Sequence, residues 1–172
     1  GDNKGYTMQK IKFSRTELKN RAATALLTAA PLSVMLLSAI YNLAFGSFGY
    51  DITSGIPVLL SCLTVIALIA GTVLAAVYKK RFPAVFFALL FLMCFICYAC
   101  FCASGTTDIY ADGFFEALML ILSVPVWSYM PLAAAITSQT AAPAMIITGV
   151  IALSNAGVAL WLTLSGRKEN NV

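Results

Sequence analysis

The chain has 172 residues, about one domain, of which 60% are apolar and only 10% charged, against roughly 25% charged in an average globular protein. Its charges are segregated, leaving apolar runs of the ~20 residues that cross a bilayer, so the composition indicates a polytopic helical membrane protein. The net charge of +4 does not point to nucleic acid, because the basic residues flank the apolar runs, where a positive-inside bias accounts for them. The complete absence of histidine excludes Ser-His-Asp and Cys-His catalysis, histidine-ligated haem and zinc, and the usual neutral-pH proton shuttle.

The opening GDNKGYT is polar and no cleavable signal-peptide pattern is visible; Met8 is a candidate start, with residues 1–7 an appended stretch or an upstream extension. Residues 8–21 carry Lys10, Lys12, Arg15, Lys19 and Arg21 among Ile11, Phe13 and Leu18. Ser14 followed by Glu17 reads as a capping box, so a short basic amphipathic helix is expected to begin there and lie at the cytoplasmic interface.

Five spans are expected after it, at about 22–45, 57–78, 83–103, 114–136 and 143–164. Residues 1–21 then form a cytoplasmic tail and interfacial helix, 22–164 a single transmembrane domain, and 165–172 a polar tail. Pro31 falls within the first span, while Pro57, Pro83 and Pro143 suit the first turns of later ones. The loops holding Asp51 and Asp108/Asp112 contain no lysine or arginine, whereas the N-terminal segment and Lys79–Lys80–Arg81 are basic, which places the N-terminus inside. Five spans put the C-terminus outside, and Arg167 and Lys168 oppose that. The alternative is four full spans plus a re-entrant segment at 114–136, broken at Pro125; such backbone is tolerated only where it is buried in protein or lines a water-filled cavity. The length and apolarity of 114–136 favour five.

Candidate chemistry is sparse. MCFICYACFC (93–102) sets Cys94, Cys97, Cys100 and Cys102 in one span, with Cys62 in the preceding one. On an uninterrupted helix the first three fan across about 120° and climb about 9 Å, so a single ion meets two of them but not four. Phe87, Phe91, Phe95 and Tyr98 form one stripe there, and Phe86, Leu90, Met93, Cys97 and Cys100 another, so packing is the favoured role over redox, metal or acyl chemistry. A metal site would require Cys62 to meet an adjacent pair.

In the outer loop Asp108, Asp112 and Glu116 recur every four residues and, with Asp51, form a candidate acidic mouth for cations. A calcium loop is ruled out by tyrosine at its third position and Met119 where a bidentate glutamate belongs.

Deep in the spans there is no charged residue, and Asn155 stands out among the neutral ones. Trp127 and Tyr129, within VPVWSYMP, mark a proline-shaped candidate pocket, with Asn155 the third candidate ligand residue. Ala67, Gly71 and Ala75, and Gly149, Ala152, Ala156 and Gly157, form small-residue rows suited to close helix packing.

The favoured function is a non-catalytic subunit or accessory component of a larger membrane assembly, such as a transport complex, with no cofactor. Expected partners are the lipid bilayer and other membrane subunits or a second copy of the chain. The alternatives are a small-solute carrier or channel and, less favoured, a membrane thiol redox protein. Compactness suggests a bacterial inner membrane.

Overall fold

The computed structural model describes residues 3–49, 51–53, 55–104, 114–137 and 141–169. Among them the regular elements are all helices: α1 (Asn3–Ser47), α2 (Ile56–Val77), α3 (Arg81–Ser104), α4 (Phe114–Trp127), α5 (Met130–Ile136) and α6 (Ala141–Glu169). Among the described residues four stretches are long and apolar enough to cross a membrane, namely Glu17–Gly46, Ile56–Val77, Arg81–Cys100 and Ala142–Gly166. The protein is therefore an all-helical bundle of the membrane type.

The N-terminal expectation is corrected in one respect. No helix begins at Ser14; α1 runs unbroken through it from Asn3 to Ser47. The segment before Ser14 contains no proline, so a Ser-x-x-Glu pattern there is compatible with a helix interior.

Pro31 also fails to end α1. Its ring removes one N–H and frees the Leu27 carbonyl, and α2 comes in close at this point because residue 71 is glycine. A methyl group added to Gly71 would stand 2.9 Å from Pro31 Cγ and 4.0 Å from the Leu27 oxygen. The α2 residues buried with it, Pro57, Ser61, Thr64, Leu68 and Ala75, recur at intervals of three and four along one face. Leu59, Leu63, Ile66, Ile69 and Val73 point outward, as lipid-facing side chains do.

Helix directions follow from a few close pairs. Gly71 meets Pro31, and the Asn42 amide nitrogen lies 3.5 Å from Ser61 Oγ, so α1 and α2 are antiparallel. The chain reverses into α3 through a left-handed Lys79 with φ of 52°. Bonds from Lys80 N to the Ala75 carbonyl (2.8 Å) and from Lys79 N to the Ala76 carbonyl (3.1 Å) make this a Schellman ending. In α6, Gly149 faces the Phe95 ring and Gly166 lies under the Arg81 guanidinium, so α6 runs antiparallel to α3.

The end of α6 is thus beside the α2–α3 turn, and its start is at the opposite end of the bundle, where α3 finishes. Residues 114–136 connect these two points at that same opposite end. They form two helices instead of the expected single spanning one. At 1.5 Å per residue α4 is about 21 Å long and α5 about 10 Å, each short of a hydrocarbon core of about 30 Å. The two helices pack on different partners, α4 on α1 and α3, and α5 on α2 and α6.

The small-residue rows divide between inside and outside. Gly71, Ala75 and Ala152 are buried and Ala67 half-buried, whereas Ala156 and Gly157 are exposed. A methyl group at Gly157 would meet nothing within 4 Å.

Candidate functional site

The break between α4 and α5 is built by proline chemistry. Pro125 lies inside α4 and does not stop it. Pro131 goes with a break, because it has no N–H for the carbonyl four residues back, that of Trp127, and it sits instead in the first turn of α5, where no such bond is needed. Ser128 and Tyr129 form the turn: Ser128 N donates to the Pro125 carbonyl and Tyr129 N to that of Val126, both at 3.2 Å. Ser128 Oγ adds a second bond to the Pro125 oxygen at 2.6 Å.

The carbonyls left over are taken by α1. Asn42 Nδ2 donates to the Trp127 oxygen at 3.1 Å and lies 3.3 Å from the Ser128 oxygen. Ser38 Oγ donates to the same Ser128 oxygen at 2.9 Å. Ser38 and Asn42 are one helical turn apart, so one face of α1 presents both donors. Ser61 stands behind Asn42 and donates to the Pro57 carbonyl at 2.8 Å.

On the α5 side, Tyr129 is completely buried. Its hydroxyl shares a hydrogen bond with Thr148 Oγ1 at 2.5 Å, and Thr148 donates in turn to the Ala144 carbonyl at 2.6 Å. Thus α1 and α6 supply neutral polar groups to one helix break, and Ser61 of α2 adjoins Asn42. Buried polar groups in lipid-embedded protein require such partners.

The candidate ligand residues are not brought together. Trp127 is half-buried and contributes its backbone oxygen, and Tyr129 is closed against Thr148. Asn155 lies two helical turns beyond Thr148, about 10 Å along α6, and its Nδ2 donates to the Ile151 carbonyl of its own helix at 2.9 Å. The amide oxygens of Asn42 and Asn155 are both buried without a hydrogen-bond partner.

Two clefts lie away from the break. One, of about 320 Å³, is an apolar groove between α2 and α6, lined by residues such as Leu68, Val73, Ile146 and Val150. The other, of about 310 Å³, is at the basic end of the bundle, beside Lys79, Arg81 and Trp161.

The cysteines occupy several faces of α3. Cys94 is buried, Cys97 half-buried and Cys100 exposed; these and the half-buried Cys62 are free thiols. Cys94 joins Phe87, Phe91 and Tyr98 in the core, packed with Val126 and Tyr129. Phe95, expected in that stripe, is half-buried and lies against Gly149 instead. Among the described residues no three Cys, His, Asp or Glu side chains converge as metal ligands, so Cys62 does not complete a set with two of Cys94, Cys97 and Cys100. The side chain of Cys102 lies outside the described residues.

Of the acidic mouth, Asp108 and Asp112 fall outside the described residues, as does the Glu116 side chain. Asp51 caps its own loop: its Oδ1 accepts from Thr53 N at 2.8 Å and from Thr53 Oγ1 at 2.6 Å.

Asn42, Ser38, Ser61, Ser128 and Thr148 do not stand out in the sequence as Asn155 does. Their signal is the carbonyl of residue 127, deprived of its donor by Pro131, together with a Ser-x-x-x-Asn pair inside an apolar span. No family model, curated protein or solved structure matches the chain.

Proposed function

We propose that the chain is a four-span membrane protein with one re-entrant helix pair, α4–α5, and with both termini cytoplasmic, acting as a non-catalytic subunit or accessory component of a larger membrane assembly. All eleven lysines and arginines fall in the N-terminal half of α1, in the 79–81 turn or in the last turn of α6. With α6 directed toward the α2–α3 turn these three segments share one end, and the positive-inside bias makes that end cytoplasmic. The charges of Arg167 and Lys168, which oppose a five-span topology, agree with this one. A bacterial inner membrane is the setting we favour. Reporter fusions to the two termini test the topology: both report the cytoplasm, whereas five spans place the C-terminal reporter outside.

The observation that carries the functional reading is how the interior polar groups are used. Ser38, Asn42, Ser128, Tyr129 and Thr148 bond to backbone or to one another at the helix break and hold it closed. Meanwhile the α2–α6 groove and the small residues Ala156 and Gly157 face outward, where another helix can approach closely. Mild solubilisation should recover the protein with a stoichiometric membrane partner. Recovery as a lone monomer under those conditions counts against the reading.

A second reading, a small-solute carrier, is favoured by the two buried amide oxygens of Asn42 and Asn155 that lack donors, since broken helices and unsatisfied polar groups mark solute sites in transporters. It requires that Asn155→Ala or Trp127→Phe alter solute uptake in vesicles at unchanged membrane insertion. Unchanged uptake in both variants removes it.

A further inference from the structure

The turn between α4 and α5 gathers more oxygen than its hydrogen bonds use. Asn42 Nδ2 lies 3.1 Å from the Trp127 oxygen, 3.3 Å from the Ser128 oxygen and 3.5 Å from each of Ser38 Oγ and Ser61 Oγ. A primary amide has only two N–H groups to offer these four acceptors. The other end of the same amide, Oδ1, is buried and receives no hydrogen bond, in a residue only 3% exposed. We infer that this oxygen shell is a sodium-ion site, in which the Asn42 amide turns over and contributes Oδ1 as the fifth ligand.

The size of the shell selects the ion. The two ends of a carboxamide have nearly the same shape, so a half-turn about its last torsion puts Oδ1 where Nδ2 stands. That sets an oxygen at 3.1–3.5 Å from four others. Oxygens this close repel one another unless a cation lies among them. An ion of calcium's size binds oxygen at about 2.4 Å, which sets neighbouring octahedral ligands about 3.4 Å apart. Sodium has that size with a single charge, and the larger potassium ion spreads its ligands further.

The chemistry of the donors agrees. The five oxygens are neutral (two carbonyls, two hydroxyls and one amide), a set that suits a singly charged ion, whereas calcium is held by sets that include carboxylates. The hydroxyl protons of Ser38 and Ser61 are committed to the Ser128 and Pro57 carbonyls, so both hydroxyls present lone pairs to the ion. Carbonyls at a helix break replace a cation's hydration shell in this way. Turning the amide over gives up the bonds from Nδ2 to two carbonyls, but Oδ1 has no bond to lose. In the sodium-free protein Nδ2 stands in for the ion, its partial positive charge facing the oxygens.

Position allows the ion to enter. Asn42 lies just before the end of the apolar stretch Glu17–Gly46 and Ser61 just after the start of Ile56–Val77. At 1.5 Å per residue the shell is roughly 6–8 Å inside that end of the bundle, the end opposite the 79–81 turn. An ion arriving from that side crosses little of the hydrocarbon. The inference rests on the geometry of the break and on neither functional reading.

Equilibrium binding of radioactive sodium to the purified full chain in detergent micelles tests the site, with choline chloride holding the ionic strength. Binding should saturate, and unlabelled sodium should displace the label far better than potassium does. Ser61→Ala is the deciding variant, because that hydroxyl donates within its own helix and its loss leaves the bonds from Ser38 and Asn42 to the break in place. It should weaken sodium binding about tenfold, the effect of removing one bond to a charged group, and Asn42→Leu should abolish binding. Absence of saturable binding in the parent chain overturns the assignment, as does equal displacement by potassium. Binding at parental affinity in Ser61→Ala puts the ion elsewhere and also overturns it, whether or not Asn42→Leu folds.

Discussion

Pro31 and Pro131 both interrupt apolar helical sequence, yet α1 continues through the first and the chain turns at the second. The difference lies in what neighbouring helices offer to the backbone. At Pro31 the neighbour is Gly71, which offers space: α2 closes on the proline ring and α1 stays whole. At Pro131 the neighbour is Asn42, which offers a donor: it takes the Trp127 carbonyl that a continuing helix would have left unpaired. Pro125 behaves like Pro31 and stays within its helix. Proline therefore marks where a helix can break, and tertiary partners decide whether it does.

The largest effect should come from stripping those donors. Ser38→Ala combined with Asn42→Leu leaves the Trp127 and Ser128 carbonyls buried and unpaired, at about 1–3 kcal/mol for each. Denaturant titration in micelles measures the loss. A loss under about 0.5 kcal/mol, the size of an ordinary surface substitution, would mean that Pro131 alone sets the break.

Gly71→Ala attacks the other half of the comparison. The added methyl meets a rigid proline ring at 2.9 Å, an overpacking that costs about 1–3 kcal/mol. If the variant is as stable as the parent, α1 and α2 do not depend on that close approach. Tyr129→Phe should cost less, about 0.6 kcal/mol, the average for a hydrogen bond between membrane helices, because Thr148 retains its bond to the Ala144 carbonyl. The smallest effect is expected at Gly157→Leu, whose side chain enters open space. Stability should stay within about 0.5 kcal/mol of the parent, while copurification of the proposed partner through this face should be lost. A partner retained at parental yield would separate Gly157 from the docking surface.

Much of the bundle was legible in the sequence, because a span is a local property: about twenty apolar residues between charges suffice to find it. The direction of α6 is not a local property: it follows from Phe95 against Gly149 and Arg81 over Gly166. Residues 114–136 are apolar enough in total to suggest a span, but the turn at Ser128–Tyr129 depends on a donor 85 residues away. For the candidate site, the prolines locate the segment and Tyr129 belongs to the turn, but Asn42 lies near the end of a span, where a polar residue is ordinary. Asn155 stands out in the sequence as the deeper amide, yet it bonds to its own helix. The cysteine stripe was partly legible: Cys94 packs in the core while Phe95, assigned to the same stripe, lies against Gly149.

The partners of the α4–α5 pair also bear on how the chain is made. Neither helix is long enough to settle across a bilayer alone, and their contacts come from α1 and α3 on one side and α2 and α6 on the other. Ser38 reaches Ser128 across 90 residues of sequence, and Thr148, which receives Tyr129, is synthesised after both. The donors for the Trp127 and Ser128 carbonyls are thus in place before the break is made, whereas the Tyr129 hydroxyl meets Thr148 only once α6 has emerged. A chain truncated before α6 should therefore keep the α1 side of the break and lose the α6 side.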